Sequence, residues 1–206
     1  MKILKLCGVL VLCISISSCA FLDSKINDIK GSLIGNAYTV STYDNYGNKV
    51  LTTQGDKINI RGNSIKTYNY DSDGNASVSY ELSSVITIDI DGREMESCGD
   101  TCIFVQDNLN PAVEFDTENV TSSSSNLIAD STFMSKYINK YRNLFGKSRV
   151  VVIKSQLGQP IVAYSGDDVY WEIPKDLPKM TKLMIDGKAL YIHRANFQII
   201  DTDLLN

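Results

Sequence analysis

A mainly β fold of the α+β type is what this sequence predicts: about ten to twelve short antiparallel strands, set in two similar meanders around one central amphipathic helix. Three observations predict it. From Tyr38 onward, short alternating runs of apolar and polar residues are cut by Gly, Asn and Asp every ten residues or so, the rhythm of strands joined by hairpins. One later segment alone carries a helical period. And residues 38–60 and 149–171, laid over one another at an offset of 111, match Gly47 with Gly158, Val50 with Ile161, Gly55 with Gly166, Asp56 with Asp167 and Ile58 with Val169. Strands in this number also allow closure into a barrel.

The first eighteen residues have the grammar of an export signal: Lys2 and Lys5, an apolar stretch from Leu6 to Ile16, then small residues before Cys19. The stretch is too short to span a hydrocarbon core of about 30 Å as a helix. Residues 19–36 carry Phe21, Leu22, Ile26, Ile29, Leu33 and Ile34 at a loosely helical spacing and read as a tether, and residues 37–206 as a single β-rich domain. Its turns are legible at Asp44-Asn45-Tyr46-Gly47-Asn48, Asp71-Ser72-Asp73-Gly74-Asn75, Asp91-Gly92, Gly166-Asp167-Asp168 and Asp186-Gly187, because Asn and Asp tolerate left-handed backbone angles and Gly adopts them freely. Pairing Asp73-Gly74 with Asp186-Gly187, at an offset of 113, would extend the internal repeat. The helix falls at about 130–146, where Phe133, Met134, Tyr137, Ile138, Tyr141, Leu144 and Phe145 form one wide apolar stripe between an N-cap at Asp130 or Ser131 and Gly146.

Five cysteines and one histidine restrict the chemistry. Cys7 and Cys13 leave with the signal, and Cys98 and Cys102 flank a Gly-Asp centre that reads as a hairpin loop. Residues facing each other across a hairpin lie close enough for a disulfide, which is the expectation here, with free thiols or a redox pair as alternatives. Without the signal the chain has 18 basic and 24 acidic residues, divided as 7 against 16 over residues 19–128 and 11 against 8 over residues 129–206. An acidic, exported chain with no basic stripe is not a nucleic-acid binder.

Candidate sites are few. Asn69, Asp71 and Asp73 stand at alternate positions before Gly74, the spacing of oxygen ligands in a calcium loop, although an ordinary hairpin turn explains the same residues. No other cofactor is expected. Asp167, Asp168 and Glu172 could supply paired carboxylates for hydrolysis. Tyr164 and Trp171, with Asp167 and Asp168, could form a ligand surface, while Tyr170 must point away from Trp171 on a strand. His193 has no visible partner, and no phosphate-loop, nucleophile-elbow or metalloprotease signature occurs.

The tetrapeptide Ile16-Ser17-Ser18-Cys19 resembles the lipobox of bacterial lipoproteins, which implies diacylglyceryl transfer to the Cys19 thiol and cleavage before it. With Ile34-Gly35-Asn36-Ala37-Tyr38-Thr39-Val40, Tyr43-Asp44-Asn45-Tyr46-Gly47-Asn48 and Leu177-Pro178-Lys179-Met180 through Ile199-Ile200-Asp201, the chain resembles an uncharacterised family of small lipoproteins from Gram-positive anaerobic bacteria, a domain of unknown function. Its strand grammar is also similar, more distantly, to tubby-like and LURP-one barrels, in which the helix comes last. The resemblance implies a chain anchored by lipid on the outer face of the cytoplasmic membrane. Together with the missing catalytic signatures it sets the expectation: a non-enzymatic binding or structural module meeting an envelope or surface partner, with a carboxylate hydrolase or a calcium-stabilised adhesion domain as the alternatives.

Overall fold

A computed structural model describes residues 37–115 and 146–204. Thirteen strands run through them: β1 Tyr38–Tyr43, β2 Lys49–Gly55, β3 Ile58–Tyr70, β4 Ala76–Ile90, β5 Arg93–Ser97, β6 Thr101–Gln106, β7 Val113–Glu114, β8 Arg149–Lys154, β9 Pro160–Gly166, β10 Val169–Glu172, β11 Met180–Ile185, β12 Lys188–His193 and β13 Asn196–Asp201. They form three antiparallel sheets: a six-stranded sheet in the order β10-β11-β12-β6-β1-β2, a four-stranded sheet β13-β8-β9-β7 and a three-stranded sheet β3-β4-β5. The mainly β expectation holds. Closure into a barrel does not, because among the described residues each of these sheets is open, with an edge strand at either end. The predicted helix over 130–146 lies outside the described residues except for Gly146, and the signal, Cys19 and the tether lie outside them too.

The six-stranded sheet is the middle layer, and strand alternation sends its side chains to two cores. One face brings Val40, Phe104 and Tyr191 against Ile58, Ile60, Ile86 and Ile88 of the three-stranded sheet. The other brings Ile103, Leu183, Leu190 and Ile192 against Val151, Ile153 and Val162 of the four-stranded sheet. A third cluster, Val113, Phe115, Val150, Val152 and Ala163 with Ile200 beside it, lies on the far face of the four-stranded sheet and draws its members from that sheet and the residue leaving it.

The internal repeat is a repeat of topology. In the first half, hairpin β1–β2 takes β6 alongside β1, and β3-β4-β5 forms a meander. In the second, hairpin β8–β9 takes β13 alongside β8, and β10-β11-β12 forms a meander. Matching corners explain the matching residues. Gly47 and Gly158 both adopt a left-handed backbone, at φ +88° and +94°, and donate their N–H to Asp44 and Ser155. Gly55 and Gly166 have no room for a side chain, since a Cβ would sit 2.6 Å from Ile90 Cγ2 in one half and 2.8 Å from Ile185 Cγ2 in the other. The Asp91 carboxylate accepts the N–H groups of Asp56 and Lys57, and that of Asp186 accepts those of Asp167 and Asp168, so each meander turn caps the corner of its own half.

Two expectations are corrected by this geometry. The counterpart of Asp186-Gly187 is Asp91-Gly92, 95 residues earlier, and not Asp73-Gly74: both meander turns place their Asp and Gly at positive φ and dock on a Gly-Asp corner. The sequence offset misleads because the first half has 16 more residues between corner and turn, all of them in the β3–β4 hairpin. The segment from Cys98 to Cys102 is also not a hairpin loop. β5 belongs to the three-stranded sheet and β6 to the six-stranded one, so residues 98–100 cross between stacked layers. The sulfurs are unbonded, with Cys98 exposed and Cys102 buried 3.4 Å from Ser97 Oγ, and burial pushes the Cys102 thiol up in pKa.

Candidate functional site

The extra length of β3 and β4 builds an arm. Beyond a register shift at Gly62/Ser64, residues 64–70 pair with residues 76–82 alone, a two-stranded ribbon about 20 Å long at ~3.3 Å per residue. Asn63 anchors its base, donating from Nδ2 to Val85 O and Thr87 Oγ1. Gly62 marks where the ribbon leaves the sandwich, because a Cβ there would lie 2.5 Å from Asp176 O on the connection between β10 and β11. The second half has only that seven-residue connection, 173–179, at the equivalent place.

Cross-strand partners share a face, so the register sorts the arm's side chains. Lys66↔Tyr80, Tyr68↔Val78, Tyr70↔Ala76 and Ser64↔Leu82 fall on one face; Thr67↔Ser79, Asn69↔Ser77 and Ile65↔Glu81 fall on the other. The first face continues the alternation of Ile58 and Ile60, which are buried, into solvent, where Tyr70 is 72 % and Tyr80 61 % exposed and Tyr68, Val78 and Leu82 are exposed as well. Lys66 Nζ sits 4.9 Å from the centre of the Tyr68 ring. A ribbon that only had to stay soluble would carry mostly polar groups on both faces; the opposite face carries Thr67, Asn69, Ser77, Ser79 and Glu81, with Ile65 its one exposed apolar side chain.

The remaining predicted residues are placed as follows. Asp71 closes the arm's tip: Oδ1 accepts the N–H groups of Asp73 and Asn75, and Oδ2 accepts Asn75 Nδ2, which holds its carboxyl below the usual range. Asn69 donates across the ladder to Ser79 Oγ. The turn reading accounts for this loop, which repeats the bonds of Asp44 with Tyr46 and Asn48, and among the described residues no group of three or more His, Cys, Asp or Glu is arranged to hold a metal ion. Asp167 bonds Lys147 Nζ at 2.7 Å, with Asp186 3.1 Å from the same ammonium, and that bond holds Asp167 below the usual carboxylate range, a charged acceptor at neutral pH. Asp168 enters this corner through its backbone N–H. Glu172 accepts Lys182 Nζ at 2.9 Å. The carboxylates of Asp167 and Glu172 are thus each engaged by a lysine, Lys147 and Lys182.

Tyr164 and Trp171 are not brought together. Trp171 is exposed on the edge strand β10, with Tyr170 exposed on the opposite face as alternation requires, whereas Tyr164 is buried in β9. Tyr164 instead lies in the floor of a cleft of about 340 Å³ between the β1–β2–β6 end of the six-stranded sheet and the β7 edge of the four-stranded one. Tyr43 shares that floor, burial raises the pKa of both phenols, and Lys49 Nζ and Glu114 Oε2 face each other at 4.0 Å among the lining residues. Sequence reasoning found Tyr164 and missed the arm's tyrosines. Their alternation in Lys66-Thr67-Tyr68-Asn69-Tyr70 and Ala76-Ser77-Val78-Ser79-Tyr80 marks strands, but which face meets solvent depends on the layer beneath.

A family model described as "Domain of unknown function (DUF5052)" matches residues 1–205. No curated protein and no solved structure matches the chain.

Proposed function

Since the chain belongs to the DUF5052 family, whose description assigns no activity, we propose its role from its own residues: a lipid-anchored, non-enzymatic recognition module of the cell envelope that grips an extended surface glycan with its arm. In this reading residues 1–18 are removed, a diacylglyceryl group on Cys19 holds the chain to the outer face of the cytoplasmic membrane, and residues 19–36 space the domain from the bilayer. Two acyl chains suffice for stable anchoring, at ~0.8 kcal/mol per buried CH₂.

The observation that carries the recognition role is that the arm belongs to one half of the repeat only. The second half shows what the topology needs, and it reaches the same corner-and-turn arrangement with a seven-residue connection. The arm's solvent-facing tyrosines are therefore a cost to solubility that the fold does not require. A face about 20 Å by 10 Å offers a few hundred Å², well short of the ~800 Å² per partner of a stable protein interface. An extended glycan matches it better. Tyr70, Tyr68 and Tyr80 stand at successive same-face positions about 7 Å apart along the ribbon, so the apolar C–H faces of sugar rings can lie on the phenols while hydroxyls reach the Tyr O–H groups and Lys66.

Co-sedimentation of the full chain in detergent with isolated, insoluble bacterial wall glycan tests this. Replacing Tyr68, Tyr70 and Tyr80 by serine together is expected to leave the melting temperature within a few degrees and to reduce the bound fraction at least tenfold. A triple variant that sediments like the parent would refute the assignment.

A further inference from the structure

The face of the six-stranded sheet that looks toward the four-stranded one changes chemistry along its width. In β11, β12 and β6 it carries Leu183, Ile185, Leu190, Ile192 and Ile103. In β1 and β2 the same face carries Thr39, Ser41, Tyr43 and Thr52, with Ser41 directly opposite Thr52 and their hydroxyl oxygens 3.4 Å apart. A strand pair that only had to extend the core would continue the aliphatic series. Here the hydroxyls of Thr39 and Ser41 lie beside Val105 and Ile103, their cross-strand neighbours on β6, and Val162 and Tyr164 of the four-stranded sheet line the cleft from across it.

We propose that this cleft is a second binding site, taking one neutral, hydroxyl-rich ring of sugar type, whatever polymer the arm meets. Its volume of about 340 Å³ lies at the small end of the range for small-molecule pockets, about 300–1,000 Å³. Hydroxyls set beside aliphatic side chains on one sheet, with Val162 and the Tyr164 ring on the other, suit a ring with a C–H face and a hydroxyl rim. The charged lining residues, Lys49 against Asp107 and Glu114, leave an excess of negative charge that disfavours anions. Lys49 and Glu114 are both solvent-accessible and only loosely paired at 4.0 Å, so little is lost when each turns to a hydroxyl of the ligand, the cation donating and the carboxylate accepting.

Ligand-observed saturation-transfer NMR on the full chain in detergent tests the site, with free glucose, galactose and N-acetylglucosamine as neutral probes, alanine as a zwitterion and inorganic phosphate as an anion. At least one neutral sugar is expected to receive saturation, most strongly at its C–H protons. Thr52→Trp, at an exposed rim position, is expected to block the cleft and weaken binding at least tenfold, and Glu114→Gln to weaken it about threefold. Both variants must keep the parent's circular dichroism, and the arm's triple serine variant must leave the transfer intact. The proposal fails if no neutral sugar binds, if alanine or phosphate binds in their place, or if Thr52→Trp and Glu114→Gln both leave binding unchanged. A signal lost in the arm variant and kept in Thr52→Trp places the sugar on the arm and overturns the cleft assignment.

Discussion

Acid should destabilise this protein through one residue well before its carboxylates titrate. His193 is fully buried at the end of β12, in register between Met180 of β11 and Cys102 of β6, and neither ring nitrogen hydrogen-bonds to a described residue. Burial first, and then the positive charges of Arg194 and Lys179, push its pKa from the ordinary 6.5 down to about 4. Between those values the unfolded chain binds a proton that the folded chain refuses. Stability is therefore complete above about pH 6.5, falls as the pH drops toward 4, and levels off below it. At about 1.4 kcal/mol per pH unit the gap amounts to about 3 kcal/mol, a large share of the 5–15 kcal/mol typical of a whole domain. The assay is urea denaturation followed by far-UV circular dichroism at half-unit steps from pH 7.5 to 4. The parent midpoint should fall steadily below pH 6.5, and His193→Leu, which removes the ionisation together with two unsatisfied polar atoms, should give a nearly flat profile and at least equal stability at pH 7. Equal slopes in parent and variant, or a parent midpoint constant down to pH 4.5, would refute the reasoning. Asp71, Asp167 and Asp186, whose pKa values are held down by hydrogen bonds, add their own losses only as the pH falls through the carboxylate range.

Three further outcomes follow from the same geometry. Gly166→Ala forces a Cβ to 2.8 Å from Ile185 Cγ2 and should cost about 1–3 kcal/mol in denaturant, whereas Gly74→Ala at the arm's tip meets open space and should cost only about 1 kcal/mol for its left-handed backbone. Maleimide labelling with peptide mapping should modify Cys98 in the folded protein and Cys102 only on unfolding; a chain two hydrogens lighter with neither residue labelled would show the pair to be bridged instead. Cys19→Ser should move the protein from the membrane fraction to the soluble fraction of an expressing bacterium, and retention in the membrane would exclude the diacylglyceryl anchor.

What the sequence displayed and what it hid divide along the range of the interactions. Gly47, Gly55, Gly158 and Gly166 were legible because corners and turns are local: a left-handed angle or a missing Cβ is written into the residue that adopts it. The strand from Thr101 was legible and its partners were not, since pairing of β6 with β1 and β12 joins residues up to 91 positions apart, as Cys102 and His193 are. For the same reason the Cys98–Cys102 segment passed for a hairpin when it is a crossing between layers. The repeat was visible up to the first corner and then slipped, because the arm inserts its residues between two equivalent turns. Tyr164 could be suspected as a site residue and Trp171 with it, but their separation is set by the stacking of sheets, which alternation alone does not encode.

The measurement that bears most directly on the account is removal of the arm: residues 64–82 replaced by a two-residue Asn-Gly turn in the full chain, followed by thermal unfolding and by co-sedimentation with wall glycan. If the arm is an addition to a duplicated fold and the seat of recognition, the melting temperature should stay within a few degrees of the parent while sedimentation falls to background. Collapse of the fold would show that the arm belongs to the architecture, and undiminished sedimentation of a folded variant would show that recognition lies elsewhere.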